Sequence, residues 1–407
     1  MAKTEWTWTG VASGLHDKGA LEEALGGYRE LLEGVGGKEG EGGCVYWVQT
    51  GGVENRVLEE WRKRGGGLAL LVAHPRHNSL AAALEAMARI RQEGGRGRVY
   101  FLRGAEDRET AEKLGAAVHA AEATAALKRD VFGRVGESSD WLVASSTSPE
   151  ALEARFGCKV KTVDIAVLTE AYRAEGAIGD DAEEWAVWEG ATRKEGVSRE
   201  TFAESARMAR ALRKVARAEG LSGLTVRCFD LLGSDRVTGC LALALLADEG
   251  ITSACEGDMA SMVALRWMKH LTGQAGWMAN PAELDPVDGW ALLAHCTVPL
   301  GMVERYAFKT HFESGIGLGI DGVFGTGPVT LVRLGGETLG QCRTAEGELS
   351  GNTHEEGLCR TQARLKLAPE AVQDWLARPL GNHVTMVRGR WAAAVALAAE
   401  AVGMAMG

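Results

Sequence analysis

The stretch 251–267, ITSACEGDMASMVALRW, runs an apolar segment directly into Glu256-Gly257-Asp258 and then into a helical pattern. A second apolar segment, LTVRCF (224–229), runs into Asp230 about one βα repeat earlier. Both acids fall at the carboxyl end of an expected strand, the edge of a parallel α/β sheet where ligands bind. Neighbouring strands lie roughly 5 Å apart. Two carboxylates that close resist joint ionisation unless a proton or a cation lies between them. A hard divalent cation bound through oxygens meets that requirement.

Each of these residues also has an ordinary structural reading. An aspartate before a helix is a favoured N-cap, and the helix dipole welcomes its charge. Glu256 is harder to account for in this way, because it follows an apolar strand and precedes a glycine that lets the backbone turn sharply. His295 (in LLAHCTVP), His311 (in THFESG, beside Glu313) and His383 (in LGNHVTMV) lie in or next to apolar runs. A lone histidine there is ordinarily a hydrogen-bonded core residue; three near glycine turns in one region strengthen the case for ligands. Gly317, Gly319 and Gly322 spell G-x-G-x-x-G, but neither a strand before them nor a helix after them is expected, so they read as a β turn rather than a cofactor loop.

The elements that must position these residues alternate. Strands are expected over 44–50, 68–74 and 98–104, with helices over 53–64, 79–93 (Asn78 or Ser79 as N-cap) and 106–129. Strands separated by helical patterns imply parallel βαβ units. A second set follows, with strands over 140–146, 159–167, 224–229 and 251–255 and helices over 198–220, 236–248 and 259–271. Beyond about residue 290 the runs 291–300, 328–336 and 383–390 are β-like and separated by glycine-rich turns. The expected architecture is therefore α/β: an N-terminal Rossmann-like parallel-sheet domain over 1–130, a second over 131–290 that carries the acids, and a β-rich, barrel-like C-terminal domain over 291–407 with a terminal helix.

Composition narrows the function classes. With 46% hydrophobic and 25% charged residues the chain is an ordinary soluble globular protein. A net charge of −10 without a long basic run argues against nucleic acid and against an anionic membrane surface as partners. Neither a signal peptide nor a spanning segment is expected, since the apolar tail 391–407 is short and carries Glu400. The 8 cysteines form no C-x-x-C pair, which fits reduced thiols in a cytoplasmic protein.

Taken together, ACEGDMASMVALRWMKHLTGQ, the preceding VRCFDLL, LAHCTVPL, THFESGIGLGIDG, LCRTQ (358–362) and PLGNH (379–383) resemble the L-fucose isomerase and L-arabinose isomerase superfamily, and most of all its shorter fucose-isomerase-like members. HPRHNSLAAALE (74–85) and GESSDWLVAS (136–145) resemble further family segments, so the likeness runs from about residue 44 to 390. The resemblance implies a homo-oligomer (trimer or hexamer) that converts an open-chain aldose to a ketose with a divalent metal, Mn2+ or else Mg2+ or Co2+. It implies Asp230, Asp258 and His383 as metal ligands, and Asp230, Asp258 and Glu256 as catalytic acids. It further implies His295, His311 and Arg360 as sugar-orienting residues, with Asn78 and Ser79 reaching a neighbouring subunit's site. Such a reaction moves a proton between adjacent carbons through an ene-diol and needs a base, an acid and an electrophile on the two oxygens. Many relatives carry two adjacent histidines where this chain has His383-Val384, and glutamate is frequent at the position matched by Asp230. Two other readings stay open: a non-catalytic sugar-binding or regulatory protein, which Val384 favours, and another metal-dependent sugar enzyme (an epimerase or lyase) on the same fold.

Overall fold

Apolar runs bounded by glycine become parallel strands through the first two thirds of the chain. The computed structural model describes residues 5–407. It contains two compact units: the chain up to Thr124 with Ala393–Gly403, and Ala125–Ala392 with Met404–Gly407.

The first unit is built on a five-stranded parallel sheet in the order Gly37–Glu39, Trp6–Val11, Val45–Val48, Leu68–Ala73, Arg96–Phe101. Its central strands Val45–Val48 and Leu68–Ala73 are apolar on both faces. Trp6, Trp8, Val45, Trp47, Leu70 and Val72 pack on one side with Leu25 and Leu32 of the helix Lys18–Gly34. Val11, Tyr46, Val48, Leu71 and Ala73 pack on the other with the helices Glu54–Lys63 and Ser79–Gln92. Period-2 alternation with both faces covered is the signature of a parallel α/β layer. The C-terminal helix Ala392–Ala401 buries Val395, Ala398 and Ala399, and Leu397 packs on the tryptophan-rich core.

The second unit holds a four-stranded parallel sheet in the order Thr252–Cys255, Gly223–Val226, Val131–Val135, Lys159–Val163. It also holds an antiparallel ring. Gly327–Gly335, Val384–Arg388, Trp277–Asp285, Trp290–His295, Thr361–Leu367 and Gln341–Gly351 pair in turn, and the last pairs back onto the first. This closed six-stranded barrel leaves no open edge. Its core includes Trp277, Leu293, Leu331, Leu365, Val384 and Met386. The α/β class with a β-rich barrel toward the C-terminus is thus the observed architecture.

Two expected strands differ. Residues 140–146 form turns rather than a strand. Their apolar and hydroxyl side chains are used as anchors: Leu142 is buried, and Trp141 and Ser145 bond to Glu256 and Arg333. The strand in that part of the sheet is Val131–Val135, VFGRV, whose glycine and arginine interrupt the apolar run. The strand expected over 159–167 stops at Val163, because Asp164 caps the helix Ile165–Ala174 by accepting from the Ala166 N–H at 2.9 Å. Of the glycine-rich segment 315–322, residues 315–318 form the turn, with Gly315 and Gly317 at positive φ, and 319–322 belong to the strand Gly319–Val323.

Candidate metal centre

The strand Thr252–Cys255 delivers Glu256 to the carboxyl edge of the second sheet. Glu256 has φ +65° and Gly257 φ +73°, so the chain reverses at once. Only glycine fits the second position: a Cβ on Gly257 would lie 2.5 Å from the Glu137 carbonyl oxygen. The turn is laced to its neighbour, because the Ser139 N–H donates to the Glu256 carbonyl at 2.9 Å and Ser138 Oγ donates to the Gly257 carbonyl at 3.0 Å. Asp258 then caps the helix Met259–Thr272 through the Ser261 N–H at 2.8 Å.

The barrel supplies the histidines. His295 ends the strand Trp290–His295, and His383 immediately precedes Val384–Arg388. Both flank the strand Trp277–Asp285, whose Asn280 pairs with Ala294 while Ala279 pairs with Val384. His383 Nε2 lies 3.3 Å from Glu256 Oε1, and His295 Nε2 lies 3.8 Å from the same oxygen. One ligand atom from each of Glu256, His295 and His383 falls within 4.8 Å of the others, and all three residues are buried. A carboxylate oxygen with two imidazole nitrogens suits a first-row divalent metal, so this donor set fits a resident ion.

Asp258 sits behind His383 rather than in the group. Its Oδ2 is 2.9 Å from His383 Nδ1, and it also accepts from Ser261 Oγ at 2.8 Å and from Arg333 Nη1 at 3.2 Å. With Nδ1 donating to the carboxylate, His383 turns Nε2 toward Glu256, the usual way a carboxylate orients a metal-binding histidine. The Thr297 N–H lies 3.3 Å from His295 Nδ1, and the ring turns Nε2 toward Glu256.

Burial and charge compete throughout. Burial alone would raise the Glu256 carboxyl, but hydrogen bonds and charge from His295 and His383 outweigh it and hold it well below the carboxylate range. Burial would likewise raise Asp258, but Arg333, His383 and the Ser261 N–H hold it low. For His383 burial favours the neutral ring, yet the bonds to Asp258 and Glu256 lift its pKa to about 9. His295 is lowered, by burial first, and His311 is lowered to about 4 by burial and by the charges of His295 and Arg360.

Glu256 and His295 line a cavity of about 370 Å³, together with Trp141, Phe229, Asn280, His311, Glu313 and Asn382, and with Cys240, Cys255, Cys296 and Cys359 also in its walls. His311 bonds Ser314 Oγ at 3.0 Å through Nδ1 and packs edge-on to Phe229.

Of the residues singled out in the sequence, the structure brings Glu256, Asp258, His295 and His383 together, with His311 in the same cavity. It does not bring Asp230 there. Cys255 pairs with Val226 in the ladder, so the counterpart of Glu256 is Arg227, and Asp230 lies inside the short helix Cys228–Ser234. The Asp230 side chain is 43% exposed and bonds Arg227 Nε at 3.0 Å. Arg360 donates to the Thr310 carbonyl at 2.7 Å and lines a neighbouring polar cavity with Lys309 and His354. In the first unit, Ser79 is buried, with its hydroxyl accepting from the His74 N–H at 3.0 Å and donating to the Val48 carbonyl. Asn78 is exposed, at φ +57°, and its side chain makes no cap bond.

Two residues were missed. Arg333, a lone arginine within the apolar run PVTLVRLGG, was legible as an anomaly; it is buried and bonds Asp258, Ser261, Ser145 and the Leu380 carbonyl. Trp141, read as part of a strand, donates its indole N–H to Glu256 Oε2 at 2.6 Å.

No family model matches the sequence. Among curated proteins, the chain is similar to a sulfoquinovose isomerase of Alkalicoccus urumqiensis, 28% identical over 249 residues, which cover 58% of this chain and 54% of the relative. It is also similar to a sulfoquinovose isomerase of Clostridium sp. (strain MSTE9), 24% identical over 225 residues, covering 54% and 50%. The chain spans about half the length of the curated relatives it matches.

Proposed function

We propose that this protein is a divalent-metal-dependent aldose–ketose isomerase of the L-fucose/L-arabinose isomerase superfamily, acting on an open-chain sugar through an ene-diol. The observation that carries the reading is the buried Glu256–His295–His383 group, of which Glu256 and His295 line a cavity of about 370 Å³. Partial similarity to two proteins named as sugar isomerases supports it. Glu256, His295 and His383 would hold the ion, which when bound polarises the two sugar oxygens between which the proton moves.

The protein's own groups supply the rest. Glu256 stays ionised and faces the cavity, so it takes the base role, with Oε2 held by Trp141. Asp258 is out of reach of a sugar and orients His383. Asn280, Asn382 and the neutral His311 offer hydrogen bonds to hydroxyls. Glu313 is the other carboxylate among the lining residues. Manganese as the ion, a homo-oligomeric trimer or hexamer and a cytoplasmic setting complete this reading. Among the described residues no helix is long and apolar enough to cross a membrane.

A second reading is a sugar-binding or regulatory protein without turnover. The placement of Asp230 favours it, because the neighbouring Phe229, not the acid, lines the cavity.

Incubation with manganese and a panel of aldoses in deuterated water separates the two. Isomerase activity gives ketose carrying deuterium at C1 or C2, lost at least 100-fold in Glu256→Gln, the scale of general acid–base catalysis. Sugar binding without exchange, with manganese present, replaces this reading with the second.

A further inference from the structure

Glu256 is held from two sides, and only one of them is the histidine pair. Its Oε1 faces His383 and His295, while Oε2 accepts the Trp141 indole N–H at 2.6 Å. An N–H bond to a carboxylate oxygen is charge-assisted. Trp141 is 51% exposed; its ring packs edge-on against Phe229 with centroids 4.9 Å apart, and both rings line the cavity.

The turn that carries Trp141 is itself pinned. Arg227 donates to the Ser138 carbonyl at 2.7 Å and to both oxygens of Asp140 at 3.2 and 3.0 Å, and its Nε holds Asp230 at 3.0 Å. A continuous polar chain therefore runs from Asp230 through Arg227 and Asp140 to the residue beside Asp140, Trp141, and on to Glu256.

We infer that Trp141 is a positioning residue for the metal group: its N–H occupies one oxygen of Glu256 and thereby presents the other, alone, to the two histidines. The inference rests on the metal-dependent reading above and adds a residue to it. A carboxylate without that bond is free to rotate about its terminal torsion, which is broad and roughly two-fold, and to offer both oxygens to an ion. Groups that bond a ligand from outside in this way typically set metal affinity by 10–100-fold.

The test uses the full-length protein and two substitutions. Trp141→Phe keeps an aromatic ring and removes the N–H. Replacement of Trp141 by benzothienylalanine keeps the bicyclic shape and removes only the N–H, so it reports even if the smaller ring disturbs the fold. Metal affinity is measured by competition with a chelator for Mn2+, and the visible absorption of the Co2+-loaded protein reports ligand geometry. Both variants are expected to bind Mn2+ about 10–100-fold more weakly, with a changed Co2+ spectrum and an unchanged far-UV circular dichroism spectrum. Wild-type affinity and an unchanged Co2+ spectrum in the benzothienylalanine protein overturn the role of Trp141 and leave the metal-dependent reading standing. A wild-type protein that binds neither ion overturns both.

Discussion

The Asp258 carboxylate behind His383 is paired with a residue that does not line the cavity. Arg333 is buried, and its guanidinium faces Asp258, which has no exposed side-chain surface. Removing one partner of a buried ion pair leaves an uncompensated charge, at a typical cost of about 3–5 kcal/mol. Arg333→Met should therefore lower the urea-unfolding free energy by about that amount. Arg333→Met/Asp258→Asn should recover part of it, since a neutral amide no longer needs the cation. Equal stability of the two variants would show that Arg333 acts through its other bonds, to Ser145, Ser261 and the Leu380 carbonyl.

At the scale of elements, the decisive feature is the reversal after Thr252–Cys255. Gly257→Ala places a methyl 2.5 Å from the Glu137 carbonyl oxygen at φ +73°. The left-handed backbone costs about 1–2 kcal/mol and the overpacking about 1–3 kcal/mol more. The variant should melt earlier and bind Mn2+ more weakly, because the displaced segment, 137–141, carries Trp141. Unaltered melting would mean that the 137–141 turn yields without strain.

This junction also marks how far the sequence could be read. Apolar runs with glycine boundaries gave most strands of both parallel sheets, because burial on both faces leaves a continuous signal. Glu256 and Asp258 stood out because a charged pair at the end of such a run needs a reason. Register was not legible: Cys255 pairs with Val226, which puts Arg227 opposite Glu256 and leaves Asp230 three residues further along the chain. Trp141 was hidden because an aromatic among apolar neighbours reads equally as strand or as turn. Val131–Val135 was hidden because Gly133 and Arg134 break its pattern. Ring closure of the barrel depends on pairing between distant strands, which no local pattern records.

The molecule as a whole also carries a buried base far in sequence from the centre. His74, in the first unit, is fully buried, stacked 5.0 Å from Tyr28, and accepts the Arg76 N–H on Nδ1. Burial, then the charge of His77, lowers its pKa to about 4. An unfolded histidine titrates near 6.5. The neutral ring therefore contributes its full stability above about pH 6.5, and that contribution falls as the pH drops toward about 4, by about 1.4 kcal/mol per pH unit. His74→Phe, which cannot take a proton, should flatten the pH dependence of the unfolding transition between pH 6.5 and 5. The same slope in variant and wild type would assign the acid sensitivity to other groups.

The barrel order has a consequence for how the protein is made. Val384–Arg388 is the last of the six strands in the chain, and it inserts between Gly327–Gly335 and Trp277–Asp285 to complete the ring. His383 stands at its first turn, 127 residues after Glu256. During synthesis Glu256 and His295 emerge well before their partner, and His383 arrives only with the strand that shuts the barrel. On the proposed metal-dependent reading, ligand capture and barrel closure are then one event. By mass action an ion that binds only the closed form stabilises it by about 2.7 kcal/mol at a hundred times its dissociation constant, so on that reading metal supply during synthesis would act on the yield of folded chains.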